Sequence, residues 1–240
     1  MTTLPSGLNQ FLFGIYPYIC LAVLFLGSLV RYDREPYSWK SDSSQTLYLG
    51  HLRWGSNLFH YGVIIVILGH FVGFLMPEPI VLALMSPTAH MLLAMVVGGI
   101  AGVIAIIGAT ILAYRRLCFR RVRANSRRWD VAIIVMLWLQ LALGIATVPF
   151  SAQHMGGAEF EILVHYVQSV VFFNGSGANA ELMQGTAMVY KLHILLGFTI
   201  FLVSPFTRMV HIWSGVGALA YLTRPYQLMR KDTRSVNPLK

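Results

Sequence analysis

Charge is scarce in this chain. Asp, Glu, Lys and Arg make up 11% of its 240 residues, against about 25% in an ordinary soluble domain. Acidic residues are fewest, nine in all. So few charges could not cover the surface of a soluble domain this size. Disorder is excluded as well, because hydrophobic residues reach 56% and disordered chains are poor in them. Cysteine is nearly absent: Cys20 lies in an apolar run and Cys118 in a basic loop, which excludes a disulfide framework. The first ten residues hold no Lys or Arg, so no cleavable signal peptide is expected. No internal repeat stands out. What is left is an integral membrane protein.

Five apolar stretches reach the roughly 20 residues that a spanning helix needs. They cover residues 11–30, 54–76, 91–114, 131–150 and 188–210. Pro17 and Pro205 fall inside the first and last and are tolerable where neighbouring helices satisfy the freed carbonyls. The expected fold is an all-α membrane protein of five transmembrane helices. Its membrane domain covers 1–214, and a polar tail, 215–240, is expected to dock a soluble partner.

The net charge is +9 and the pI about 9.8. In a soluble protein this would point to nucleic acid; here no nucleic-acid partner is expected. Seventeen of the eighteen basic residues lie in three segments. Arg31, Arg34, Lys40 and Arg53 follow the first span. Arg115, Arg116, Arg120, Arg121, Arg123, Arg127 and Arg128 follow the third. Arg208, Arg224, Arg230, Lys231, Arg234 and Lys240 end the chain. With five spans all three segments fall on one side, and only Lys191 is left for the other. The positive-inside rule then puts the N-terminus in the periplasm and the C-terminus in the cytoplasm. The outer loop 151–184 carries helical spacing over 159–173, read as an interfacial helix, and Asn174-Gly-Ser-Gly reads as a turn.

An ionisable residue inside a membrane is costly and invites a functional reading. His60 and His70 lie in the second span, and His193 and His211 in the fifth. Antiparallel spans match His60 with His211 at the inner level and His70 with His193 at the outer level. Facing imidazoles can hold a planar macrocycle by both axial positions, the arrangement of bis-histidine haem b. No C-x-x-C-H motif is present for covalent attachment. The levels do not match in straight helices. His60 to His70 is a rise of about 15 Å and His193 to His211 about 27 Å; tilt, a kink at Pro205, or ligands above and below each haem plane could absorb the difference.

His51, His154 and His165 read as surface or interfacial residues. His90 lies at the depth of His70 and could bond a quinol head group or a haem propionate. Gly62, Gly69, Gly73 and Gly197 lie near the histidines, where they would admit a flat cofactor or simply pack helices. Gly98, Gly99, Gly102 and Gly108 read as helix-packing positions. Arg116 is the best-placed partner for a propionate; most arginines near it read as facing anionic lipid. A proton-relay transporter would need polar partners in the spans, and Gln140 is the nearest candidate.

Several segments carry a resemblance. IYPYI at 15–19, RYD at 31–33, SNLFH at 56–60, GHFVGFL at 69–75, RRLCFRRVRA at 115–124 and VPFSAQHM at 148–155 run in order, followed by RMVHIWS and YLTRPYQL. The chain closely resembles the gamma subunit of respiratory, membrane-bound nitrate reductase, a di-haem cytochrome b. That resemblance implies two non-covalent b haems, the inner held by His60 and His211 and the outer by His70 and His193. It implies quinol oxidation near the outer haem, with Gly69, His70 and His90 bordering the quinol pocket. Electrons would pass to an iron–sulfur beta subunit and a molybdenum alpha subunit, where nitrate becomes nitrite. The chain would then be one subunit of a quinol:nitrate oxidoreductase, multi-pass in a bacterial inner membrane, with the nitrate-reducing site on another chain. Family members can carry lysine where this chain has His90. The other reading is a haem b, quinol-linked anchor of a different reductase module, in heterodisulfide or sulfur metabolism.

Overall fold

The computed structural model describes residues 4–35, 38, 47, 49–153 and 158–214. The tail beyond Ser214, Lys40 and His154 lie outside them. The helices are α1 (Ser6–Arg34), α2 (Leu49–Leu75), α3 (Glu78–Leu84), α4 (Pro87–Cys118), α5 (Arg120–Ala124), α6 (Arg128–Gln153), α7 (Ala158–Val171), α8 (Ser176–Gln184) and α9 (Met188–Val203), and residues 211–214 are helical again at the edge of the described chain. Two 3₁₀ turns, Ser204–Phe206 and Arg208–Val210, follow α9. Among the described residues, α1, α2, α4, α6 and Met188–Phe206 are the five segments long and apolar enough to cross a membrane. Each agrees with an expected span, and most extend past the apolar run. α2 starts at Leu49 and so takes His51 and Arg53 out of the loop where the sequence put them.

Local chemistry sets several boundaries. Ser86 caps α4, its hydroxyl accepting from the Ala89 amide at 3.3 Å, with Pro87 in the first turn. Pro17 has no N–H for the Phe13 carbonyl. A π segment, Gln10–Ile15, precedes it, and the Tyr166 hydroxyl from α7 donates to that carbonyl at 3.2 Å instead. Burial pushes the Tyr166 phenol above its ordinary range, so it stays a donor.

The spans pack in the order α2, α4, α6, α9, α1. The α2–α4 crossing is close because glycines line it. Gly55 and Gly62 are the buried residues of α2. A Cβ on Gly62 would stand 2.6 Å from the Ala105 nitrogen, and one on Gly108 would strike the Phe59 backbone. Gly102 packs against Ile145. Gly98 and Gly99 have nothing within 4 Å, so the packing role expected for them does not hold within the chain.

One end of the bundle is basic and the other is capped. At the basic end Arg31 meets Pro205 and Thr207, Arg115 meets Leu47, and Arg116 and Arg208 both meet Asp130. At the other end the loop forms two helices. α7 falls where a helix over 159–173 was expected, while the expected turn at Asn174–Gly177 ends early. Gly175 turns the chain (φ +112°), and Ser176 already begins α8. Gln168 of α7 donates to the carbonyls of Phe74 and Met76 at the end of α2. The buried Lys191 ammonium caps α8 by donating to the Gln184 carbonyl at 3.0 Å.

Candidate functional site

Four histidines bridge α2 and the α9 segment, the two ends of the α2–α4–α6–α9 arc. The rings of His60 and His211 lie 6.3 Å apart, centre to centre, and those of His70 and His193 lie 6.2 Å apart. Two metal–imidazole bonds of about 2 Å, with about 1 Å from each nitrogen to its ring centre, span about 6 Å. Both separations therefore suit one metal between the paired rings.

Three of the rings share one orientation device. The Nδ1 of His60 donates to the Ser56 carbonyl, that of His70 to the Val66 carbonyl and that of His211 to the Arg208 carbonyl, each at 2.7 Å. A carbonyl only accepts, so Nδ1 carries the proton and Nε2 keeps its lone pair. An imidazole oriented this way is ready to ligate a metal. His193 is the exception: its Nδ1 is buried without a partner, and its Nε2 lies 3.4 Å from the Gln140 amide nitrogen.

The mismatch in level is resolved where span five breaks. The sequence reading carried that helix to residue 210, but α9 ends at Val203. Thr207 is extended (φ −117°, ψ −177°) between the two 3₁₀ turns. The chain leaves the α9 axis there, and His211 comes level with His60. Pro205 starts the break by lacking an N–H. Arg31 Nη1 secures it, donating to the carbonyls of Pro205 at 2.6 Å and Thr207 at 2.8 Å. Gly27 keeps α1 close, since a Cβ there would stand 3.1 Å from the Pro205 ring. From the opposite side Asp130 accepts from Arg208 Nε at 2.9 Å.

The remaining predicted residues divide. Arg116 is not an open cation: its Nη1 contacts Asp130 at 3.2 Å and donates to Ser126 at 3.2 Å. Gly69 has nothing within 4 Å, leaving the helix beside His70 open. His90 sits edge-on to Phe160, 5.2 Å between centres, with Gly73 beside it. A cavity of about 50 Å³ separates α7 from the ends of α2 and α4, lined by Gly73, Met76, His90, Phe160, Glu161 and His165. Sequence reasoning left His165 on the surface. Its i, i+4 spacing with Glu161 was the available signal, and only the docking of α7 on α2 brings both to His90.

Fold and site together define a class: a multi-pass helical membrane protein whose second and fifth spans are bridged by two histidine pairs. The nitrate reductase gamma subunit family model matches residues 9–232, and the chain belongs to that family. It is 46% identical over 224 residues to the respiratory nitrate reductase 2 gamma chain of Escherichia coli K12, covering 93% of this chain and 97% of that one. It is also 46% identical to the respiratory nitrate reductase 1 gamma chain of the same organism over 223 residues, with the same coverage. The nitrate reductase gamma chain of Bacillus subtilis 168 is 35% identical over 225 residues, covering 93% of this chain and 98% of that one.

Proposed function

We propose that the chain is the membrane cytochrome b subunit of a quinol:nitrate oxidoreductase in a bacterial inner membrane. The observation that carries this reading is the two histidine pairs at ligation distance in a member of this family. When bound, two b haems would supply one-electron carriers at two depths of the bilayer. His60 and His211 would hold one and His70 and His193 the other, with Nδ1 anchoring on three rings leaving Nε2 for iron. Arg116, steadied along one edge by Asp130, is the proposed propionate partner at the basic end.

Gly69 and His70 border the proposed quinol site, and His90 would accept a proton from the quinol hydroxyl. The charge distribution supports placing the basic end in the cytoplasm and the N-terminus in the periplasm. The basic end is then where iron–sulfur and molybdenum subunits would dock and reduce nitrate to nitrite. Protons left outside while electrons move inward would store about 2.3 kcal/mol per charge per 100 mV. The full-length likeness to nitrate reductase gamma chains favours nitrate over a heterodisulfide or sulfur module.

The test is spectroscopic. Membranes containing the complex, reduced with a quinol, should show low-spin b-type haem reoxidised by nitrate. A chain purified without haem, or haem that nitrate never reoxidises, overturns the reading.

A further inference from the structure

His193 is held differently from the other three histidines, and the difference has a built origin. Gln140 of α6 and His193 of α9 face each other at 3.4 Å. Each helix carries a glycine four residues further on, and each glycine makes room for the other helix's polar side chain. A Cβ on Gly144 would stand 3.0 Å from His193 Cε1, and a Cβ on Gly197 would stand 3.2 Å from the Gln140 amide nitrogen. The two helices run antiparallel, so Gln140 lies level with Gly197 and His193 level with Gly144. Both side chains also carry an unmet atom, since Gln140 Oε1 and His193 Nδ1 are buried without a hydrogen-bond partner. Two unsatisfied polar atoms confined by reciprocal glycines are costly to keep for packing alone.

Resting on the function proposed above, we infer that Gln140 is a positioning residue for His193. An imidazole that gives one nitrogen to iron needs a partner for its other N–H. On three rings that partner is a backbone carbonyl, whose acceptor strength substitution cannot tune. On His193 it is the Gln140 side-chain amide, which faces Nε2 and presents Oε1 to it after a half-turn, so that Nδ1, buried without a partner, is the nitrogen left for iron on this ring. A stronger acceptor there makes the imidazole a better donor, favours ferric iron and lowers the reduction potential of that haem. Gln140 thus sets the potential of the His70–His193 haem separately from the other.

The experiment is a redox titration, followed by haem absorbance, of the intact complex carrying Gln140→Glu, Gln140→Leu or Gly197→Ala. Haem content is measured first, and the two transitions are assigned with His70→Ala. The potential of the His70–His193 haem should fall in Gln140→Glu and rise in Gln140→Leu, while the His60–His211 haem stays put. Gly197→Ala pushes on Gln140 without replacing either partner, and should shift the same haem in the Leu direction. Shifts of one sign in both Gln140 variants, equal movement of both haems, or no movement overturns the inference. A wild-type complex without haem overturns the proposed function itself, and so is a distinguishable failure.

Discussion

The Arg31 guanidinium donates to the Pro205 carbonyl at 2.6 Å, across 174 residues of sequence. With Thr207 held by the same nitrogen, this contact fixes the break that brings His211 level with His60. Arg31→Met removes both donors and leaves two partly buried acceptors unmet, about 1–3 kcal/mol for each. The purified variant should melt lower and lose the His60–His211 haem while keeping the other. Arg31→Lys, with no planar fork, should rescue only in part. Equal loss of both haems would contradict the clamp.

Asp130 joins Arg116 of α4 to Arg208 beside His211, and its side chain is only 10% exposed. Asp130→Asn leaves two cations close together with no counter-charge. Breaking a buried pair from one side costs about 3–5 kcal/mol. A double-mutant cycle with Arg208→Gln, read by thermal melting, should show the two losses far from additive.

The glycines separate packing from access. Gly62→Leu and Gly108→Leu should abolish assembly, because each side chain would enter the facing backbone. Gly69→Ala, with nothing within 4 Å, should leave folding and haem content unchanged. If Gly69 borders the quinol site, the same variant should raise KM for quinol without altering nitrate-driven reoxidation.

Tyr166→Phe removes the donor that replaces the missing Pro17 N–H. The Phe13 carbonyl then loses this donor, at about 0.5–1.5 kcal/mol. The variant should melt several degrees lower with both haems retained. An unchanged melt would mean that the π segment satisfies this carbonyl by itself.

The five spans were legible because each is a long apolar run, the one sequence signal that the bilayer makes nearly compulsory. The histidine pairing followed from the antiparallel order of those spans. α8 was not legible, since Ser176 and Gly177 read as a turn and only tertiary packing makes them helical. The end of α9 was overrun by seven residues for a related reason. Pro205 was seen in the sequence, but the break depends on Arg31 and Asp130, which are distant in sequence. Arg31 and Arg208 read as members of the basic segments, yet their partners are a long-range fact that composition does not contain. Gln140 is the rare polar residue in a span, but that it faces His193 depends on how α6 and α9 pack.

On the proposed function, the His60–His211 and His70–His193 pairs each hold one haem. Its most direct test is haem stoichiometry by the pyridine haemochrome assay in the wild type and in His60→Ala, His70→Ala, His193→Ala and His211→Ala. Two haems per wild-type chain and one in each variant are expected. His60→Ala and His211→Ala should lose the same spectral component, and His70→Ala and His193→Ala the other. Loss of the same component in His60→Ala and His70→Ala, or no haem in the wild type, would contradict it.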